Sequence, residues 1–346
     1  MSTALNTLPQ WLAHNAQQLP QQVGQRHKRA GVWQEFTWQA IEREVHALAF
    51  GLAARGVQSG QTVVIISENR PEQYWAELAA MCLGAKIVAL YPDATEAELE
   101  YVVEDAGAVA VFAEDQEQID KALPIAGRHP QLHTIVWWEP GGMWGYKDAE
   151  LLSWDALKAA GEPLAVRDPG HVSALVDAGQ ASDIALLSYT SGTTGKPKGV
   201  ITTHASLLHN ARAIGECMGV KPGCEYLSYI PLSWATEQWI GVTLGLMQPM
   251  CVNFAERPDQ IQEAVRELAC DMVFFGPRQW ESMAAVVHNR MADAAPWRQA
   301  LVDWGVAIGQ STRVAANEGR RVPLLNRLLL PVAEALVLKR LREQLG

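Results

Sequence analysis

Between residues 37 and 113 the hydrophobic period changes several times, and each change falls on a stop signal. Thr37 is placed to cap a helix in which Ile41, Val45, Leu48, Ala49 and Leu52 recur on one face, ending near Gly56. Thr62–Ile66 then has the unbroken apolar run of a buried strand. Pro71 opens a second helix through Trp75, Leu78 and Cys82 to Gly84, and 86–90 is a second strand. Thr95 and Glu98 form a capping-box pair ahead of Leu99, Val102, Val103 and Ala106; Gly107 closes that helix and 109–113 is a third strand. Apolar strands alternating with amphipathic helices predict α/β architecture, with mostly parallel sheets covered by helices.

Residues 138–182 are less regular and carry Gly141, Gly142, Gly145, Pro163, Pro169 and Gly170, so a subdomain junction is placed there, dividing the chain into 1–182 and 183–346. A second α/β series starts at Asp183–Tyr189 and continues through strands near 225–230, 249–254 and 271–275. The stretch 322–345 is Leu-rich and contains Arg327, Lys339, Arg340 and Arg342. Two readings of it stand: a membrane-surface helix, or a helix packed on a core, since Pro331 and Glu334 interrupt any basic face.

The formal net charge is -10, with 38 acidic against 28 basic residues. Phosphate-backbone affinity comes from clustered Lys and Arg, so nucleic acid is not an expected partner. An anionic ligand would need a local positive site. Five scattered cysteines without a C-x-x-C pair predict free thiols in a reducing, cytoplasmic setting, with no zinc pattern. The first twenty residues lack the basic and apolar regions of an export signal, and no run approaches the ~18 apolar residues of a membrane span.

One stretch has such a positive site. Residues 190–199, TSGTTGKPKG, combine small hydroxyl residues, glycines, two lysines and a proline directly after an apolar strand. Glycines let backbone N–H groups converge on an anion, hydroxyls add donors without bulk, and Lys196 and Lys198 supply charge. The P-loop pattern is not met, because Pro197 stands where Ser or Thr would come after Gly195 and Lys196. His204 and His209, five apart, do not have the spacing of a zinc helix.

Residues 189–200, YTSGTTGKPKGV, resemble the signature loop of the adenylate-forming, AMP-binding superfamily. Similarity extends to 38–52, to the turn Asn69, Arg70, Pro71, Glu72, and to Gly84 and Ala85 leading into 86–92. Residues 229–238, YIPLSWATEQ, resemble the segment lining the acyl pocket, and 275–281, FGPRQWE, resembles an element of the long-chain fatty-acyl-CoA synthetase branch. The tail 338–346 is similar to the helix of that branch.

The resemblance implies the amino-terminal portion of an adenylate-forming enzyme. A carboxylate would attack the α-phosphorus of ATP to give acyl-adenylate and pyrophosphate, and coenzyme A would then displace AMP. By the same resemblance Thr190, Ser191, Gly192, Thr193, Thr194, Gly195 and Lys196 would contact phosphates, Thr193 would meet the Mg²⁺, and the loop's work would be positioning and charge stabilisation. Lys198 is a further phosphate contact or a solvated charge at a strand start.

Trp234 stands where the family often has histidine; an indole donates one N–H and cannot take a proton, so it is assigned as a substrate-pocket wall rather than an acid or base. Glu237 would orient that wall, or lie as a surface carboxylate on a helix. The family's Tyr-Gly-x-Thr-Glu-like motif, ribose aspartate, hinge and lysine-bearing small domain are not found before Gly346. The expectation is therefore a truncated adenylate-forming domain, inactive alone, whose exposed sheet would favour homodimers. Long-chain fatty acids are the expected substrates. Aryl or medium-chain acids, or a non-catalytic binding module, remain the alternatives.

Overall fold

The strand–helix alternation expected over 37–113 is present in the computed structural model, which describes residues 5–190 and 196–345. Helix α1 (Leu8–Gln18) leads into a hairpin of β1 (Val23–Arg29) and β2 (Val32–Thr37). Its turn uses Ala30 and Gly31, both at positive φ (48° and 77°), as a tight hairpin of this hand requires.

Next come α2 (Trp38–Ala54), β3 (Thr62–Ile66), α3 (Pro71–Cys82), β4 (Lys86–Leu90), α4 (Glu96–Ala106) and β5 (Ala108–Ala113). Their ends have the causes expected. The Thr37 side chain accepts from the Ala40 N–H, both hydrogen bonds of the Thr95–Glu98 capping box form, and Gly107 takes the left-handed conformation at φ 60°.

The chain continues through α5 (Gln116–Arg128), β6 (Thr134–Trp137), β7 (Leu151–Ser153), α6 (Trp154–Arg167) and α7 (His171–Ala178). The irregular stretch 138–182 thus contains two helices. Helix α6 packs closely on α2 through facing glycines: a Cβ on Gly161 would lie 2.4 Å from the Gly51 nitrogen. Beyond them are β8 (Ile184–Thr190), β9 (Lys198–Thr203), α8 (His204–Met218), β10 (Glu225–Leu227) and β11 (Cys251–Phe254).

Two sheets organise these strands. One runs β7-β6-β5-β3-β4-β8-β9, parallel throughout except that β9 returns antiparallel along β8. The other carries β10-β11-β1-β2, parallel except for the β1–β2 hairpin. Helix α3 packs on β3 and β4 of the first sheet and on β1 of the second. It is buried along its whole length apart from Glu72, so its apolar residues face neighbours all round.

The chain forms two compact units, Met1–Glu256 and Arg257–Gly346. The junction expected at 182–183 lies within the first, where β8 pairs with β4 from before it. The second unit is helical, with Ile261–Leu268, Pro277–Ala292, Pro296–Asn317, Leu324–Ala333 and Lys339–Leu345 as its main elements. The Leu-rich tail packs one face on the helix Pro296–Asn317, where Gly305 admits the buried Val337; Leu324, Leu325 and Leu328 are exposed. Among the described residues no helix is long and apolar enough to cross a membrane.

Candidate active site

In the seven-stranded sheet β3 is flanked by β4 on one side and by β5 on the other, so the strand order reverses there. Crevices outside the carboxyl ends of strands at such a reversal are where α/β sheets take ligands. Two segments of interest leave carboxyl ends: Asn69 and Arg70 after β3, and the signature stretch after β8.

The described ends of the signature stretch belong to the antiparallel pair β8 and β9. Thr190, the exposed last residue of β8, pairs in register with Lys198, the exposed first residue of β9. Ser191, Gly192, Thr193, Thr194 and Gly195 lie outside the described residues. The stretch leads into a strand; helix α8 begins only at His204, capped by Thr203.

The flanks of the stretch are held by α4. The Tyr101 hydroxyl donates to the Pro197 carbonyl at 2.8 Å, the Tyr189 hydroxyl donates to Asp105 Oδ2 at 2.6 Å, and the two tyrosine rings meet edge to face at 6.3 Å. Lys196 Nζ stands 5.1 Å from the centre of the Tyr101 ring, a cation–π contact. Tyr101 and Asp105 are four residues apart on one helix face, a spacing that sequence reasoning could have used and did not.

Trp234 and Glu237 lie in the segment that leaves β10 of the other sheet, at a short helical turn. Trp234 is half exposed. Glu237 is not a surface carboxylate: it is fully buried, enclosed by Tyr226, Tyr74 and Ser228, whose hydroxyls all donate to it. Burial pushes its carboxyl up to about 7, and those three hydrogen bonds limit the rise. A second buried carboxyl, Glu77 of α3, takes two hydrogen bonds from Gln238 Nε2 and is pushed up to about 8 by burial. Gln238 also donates to the Leu232 carbonyl. His204, at the start of α8, is buried, with its ring nitrogen accepting from the Leu8 N–H.

A cavity of about 530 Å³ lies elsewhere, lined by residues that include His27, Arg29, Arg70, Glu114, Glu139 and Glu256. Its arginines are engaged, Arg70 with Glu114 and the carbonyls of Ala255 and Glu256, Arg29 with Glu72 and Glu139. Neither the signature stretch nor Trp234 lines it, so the hairpin geometry, not cavity size, locates the candidate site. Among the described residues no group of three or more His, Cys, Asp or Glu side chains could hold a metal ion. The Mg²⁺ expectation rests on Thr193, outside those residues.

A two-sheet α/β unit whose Gly/Ser/Thr/Lys hairpin leaves a parallel sheet at its carboxyl end has the framework of a nucleotide-handling enzyme domain. The family model for AMP-binding enzymes matches residues 12–326, and the chain belongs to that family.

Among curated proteins it is 28% identical over 325 residues to the long-chain-fatty-acid–CoA ligase FadD15 of Mycobacterium tuberculosis, covering 91% of this chain and 50% of that protein. It is 24% identical over 333 residues to the long-chain-fatty-acid–CoA ligase ACSBG2 of Xenopus laevis, covering 92% and 43%. The chain thus spans about half the length of these relatives. Among solved structures, apo MbtA of Mycobacterium smegmatis superimposes with a TM-score of 0.65 at 24% identity, over 78% of this chain and 48% of that one. The o-succinylbenzoate CoA synthetase MenE of Bacillus subtilis, in complex with its acyl-adenylate intermediate, gives 0.59 at 20% identity, over 80% and 63%. These likenesses carry the fold.

Proposed function

We propose that this chain supplies the phosphate-gripping hairpin and an acid-pocket wall of an ATP-dependent acyl-CoA ligase acting on long-chain fatty acids. The observation that carries the reading is the signature hairpin, intact in sequence from Tyr189 to Val200 and anchored on both flanks by α4. Lys196, Lys198 and Thr190 flank the position where the pyrophosphate end of ATP would sit. Their contribution is charge stabilisation and orientation of the leaving group. Trp234 would border the acid, with Glu237 buried behind it and outside the chemistry. Coenzyme A is the acceptor that completes the reaction, and ATP arrives with Mg²⁺.

The test is acid-dependent exchange of pyrophosphate into ATP by the full-length protein. Exchange with palmitate-length acids is expected. Preference for benzoates would overturn the substrate class, and absence of exchange with any carboxylate would leave a binding module instead.

A further inference from the structure

The turn after β3 has a role that the phosphate hairpin does not explain. Asn69 Nδ2 donates to Ser228 Oγ at 2.8 Å and to the Ile230 carbonyl at 2.7 Å, while its Oδ1 accepts from the Leu232 N–H at 3.2 Å. Donors and acceptors on both sides fix which way the amide points. One side chain from the first sheet therefore clamps the segment that leaves β10 of the second sheet at three alternate residues. Two residues beyond the clamp stands Trp234, whose backbone N–H bonds the Pro231 carbonyl within the same turn.

Downstream, Ser228 passes its own hydroxyl to Glu237, and Gln238 holds the Leu232 carbonyl. The backbone that bears Trp234 is pinned before and after, and the Trp234 residue itself is half exposed. Pro71, the first residue of α3, fixes the start of that helix immediately after the clamp. Arg70 anchors the same corner to the end of β11 through the Ala255 and Glu256 carbonyls.

We propose that Asn69 is a positioning residue: it sets where the Trp234 indole stands, and through it the fit of the carboxylate substrate. The link to the substrate rests on the acyl-CoA ligase function; the placement of the indole does not.

Two measurements separate them. The chain is labelled with 5-fluorotryptophan, and the Trp234 line in the ¹⁹F spectrum is assigned by its loss in Trp234→Phe. Asn69→Ala removes all three hydrogen bonds; Asn69→Asp keeps the volume and the acceptor for Leu232 while losing both donors. In both variants the Trp234 line is expected to shift or split while the lines of Trp11 and Trp297 stay in place.

In the full-length protein the same variants should raise KM for the acid roughly fivefold, the worth of about one hydrogen bond, with KM for MgATP unchanged. An unmoved Trp234 line in a folded variant overturns the proposal. So does failure of both variants to fold, which would assign Asn69 to general stability. A moved line with unchanged acid KM upholds the positioning role and removes Trp234 from the acid pocket.

Discussion

The Tyr101 hydroxyl and the Pro197 carbonyl, 2.8 Å apart, tie helix α4 to the returning side of the signature hairpin. Lys196 and Lys198 flank that carbonyl, so the tie holds the part of the hairpin that carries the charge proposed to meet the phosphates. Tyr101→Phe removes the hydrogen bond and keeps the ring. It should lower the urea midpoint slightly, and in the full-length protein raise KM for MgATP several-fold without changing KM for the acid.

Lys196 has a resting place over that same ring. An exposed cation–π contact is worth ~0.5–1 kcal/mol, less than a charged hydrogen bond to phosphate at roughly 1.5–3 kcal/mol, so a nucleotide outcompetes the ring. Lys196→Ala should therefore weaken MgATP use by about 10- to 150-fold in steady-state kinetics. Tyr101→Leu, which frees the lysine and also loses the Pro197 hydrogen bond, should raise KM for MgATP no more than the several-fold expected of Tyr101→Phe. Unchanged ATP kinetics in Lys196→Ala would remove this residue from the site.

Helices α2 and α6 cross where neither glycine can carry a side chain. A Cβ on Gly161 would meet the Gly51 nitrogen at 2.4 Å and the Phe50 carbonyl carbon at 2.6 Å; a Cβ on Gly51 would meet the Leu157 oxygen at 2.4 Å. Backbone cannot rotate aside as a side chain can. Gly161→Ala should cost at least the ~1–3 kcal/mol of overpacking, and Gly161→Val more, read as a lowered urea midpoint.

Legibility tracked the strength of the local signal. The strands 62–66 and 86–90 stood out because burial on both faces makes them unbroken apolar runs, and the helices because Thr37, Pro71, Thr95 and Gly107 terminate them by local chemistry. The β1–β2 hairpin did not, since Gln25, Arg26, His27, Lys28 and Glu35 break the alternation; Arg26 is satisfied by Glu35 and Glu225, the latter 199 residues away. Long-range pairing of that kind has no local trace. The same holds for the site: the hairpin is contiguous and was readable, whereas Asn69 with Ile230 and Leu232, or Tyr74 with Glu237, are joined only by the fold.

Two fully buried carboxyls, Glu77 and Glu237, give the protein a pH dependence that can be assigned residue by residue. Burial raises Glu77 to about 8 and Glu237 to about 7, while the unfolded chain titrates both near the ordinary value of about 4.3. Between those limits the folded state holds protons the unfolded state has lost, so stability falls as pH rises from about 5 toward 7–8. The slope is up to ~1.4 kcal/mol per pH unit per group. Buried neutral His27 and His204, lowered to about 3 and about 4 by burial, work in the opposite sense below a pH of about 6.5, so the wild-type profile alone does not isolate the carboxyls. The difference between wild type and Glu77→Gln does, because the histidines cancel. Glutamine keeps an oxygen for the Gln238 donor and cannot ionise, so in urea unfolding Glu77→Gln should gain on wild type progressively from about pH 5 toward pH 8. A difference that does not change with pH would mean that Glu77 ionises in the folded protein as readily as in the unfolded chain.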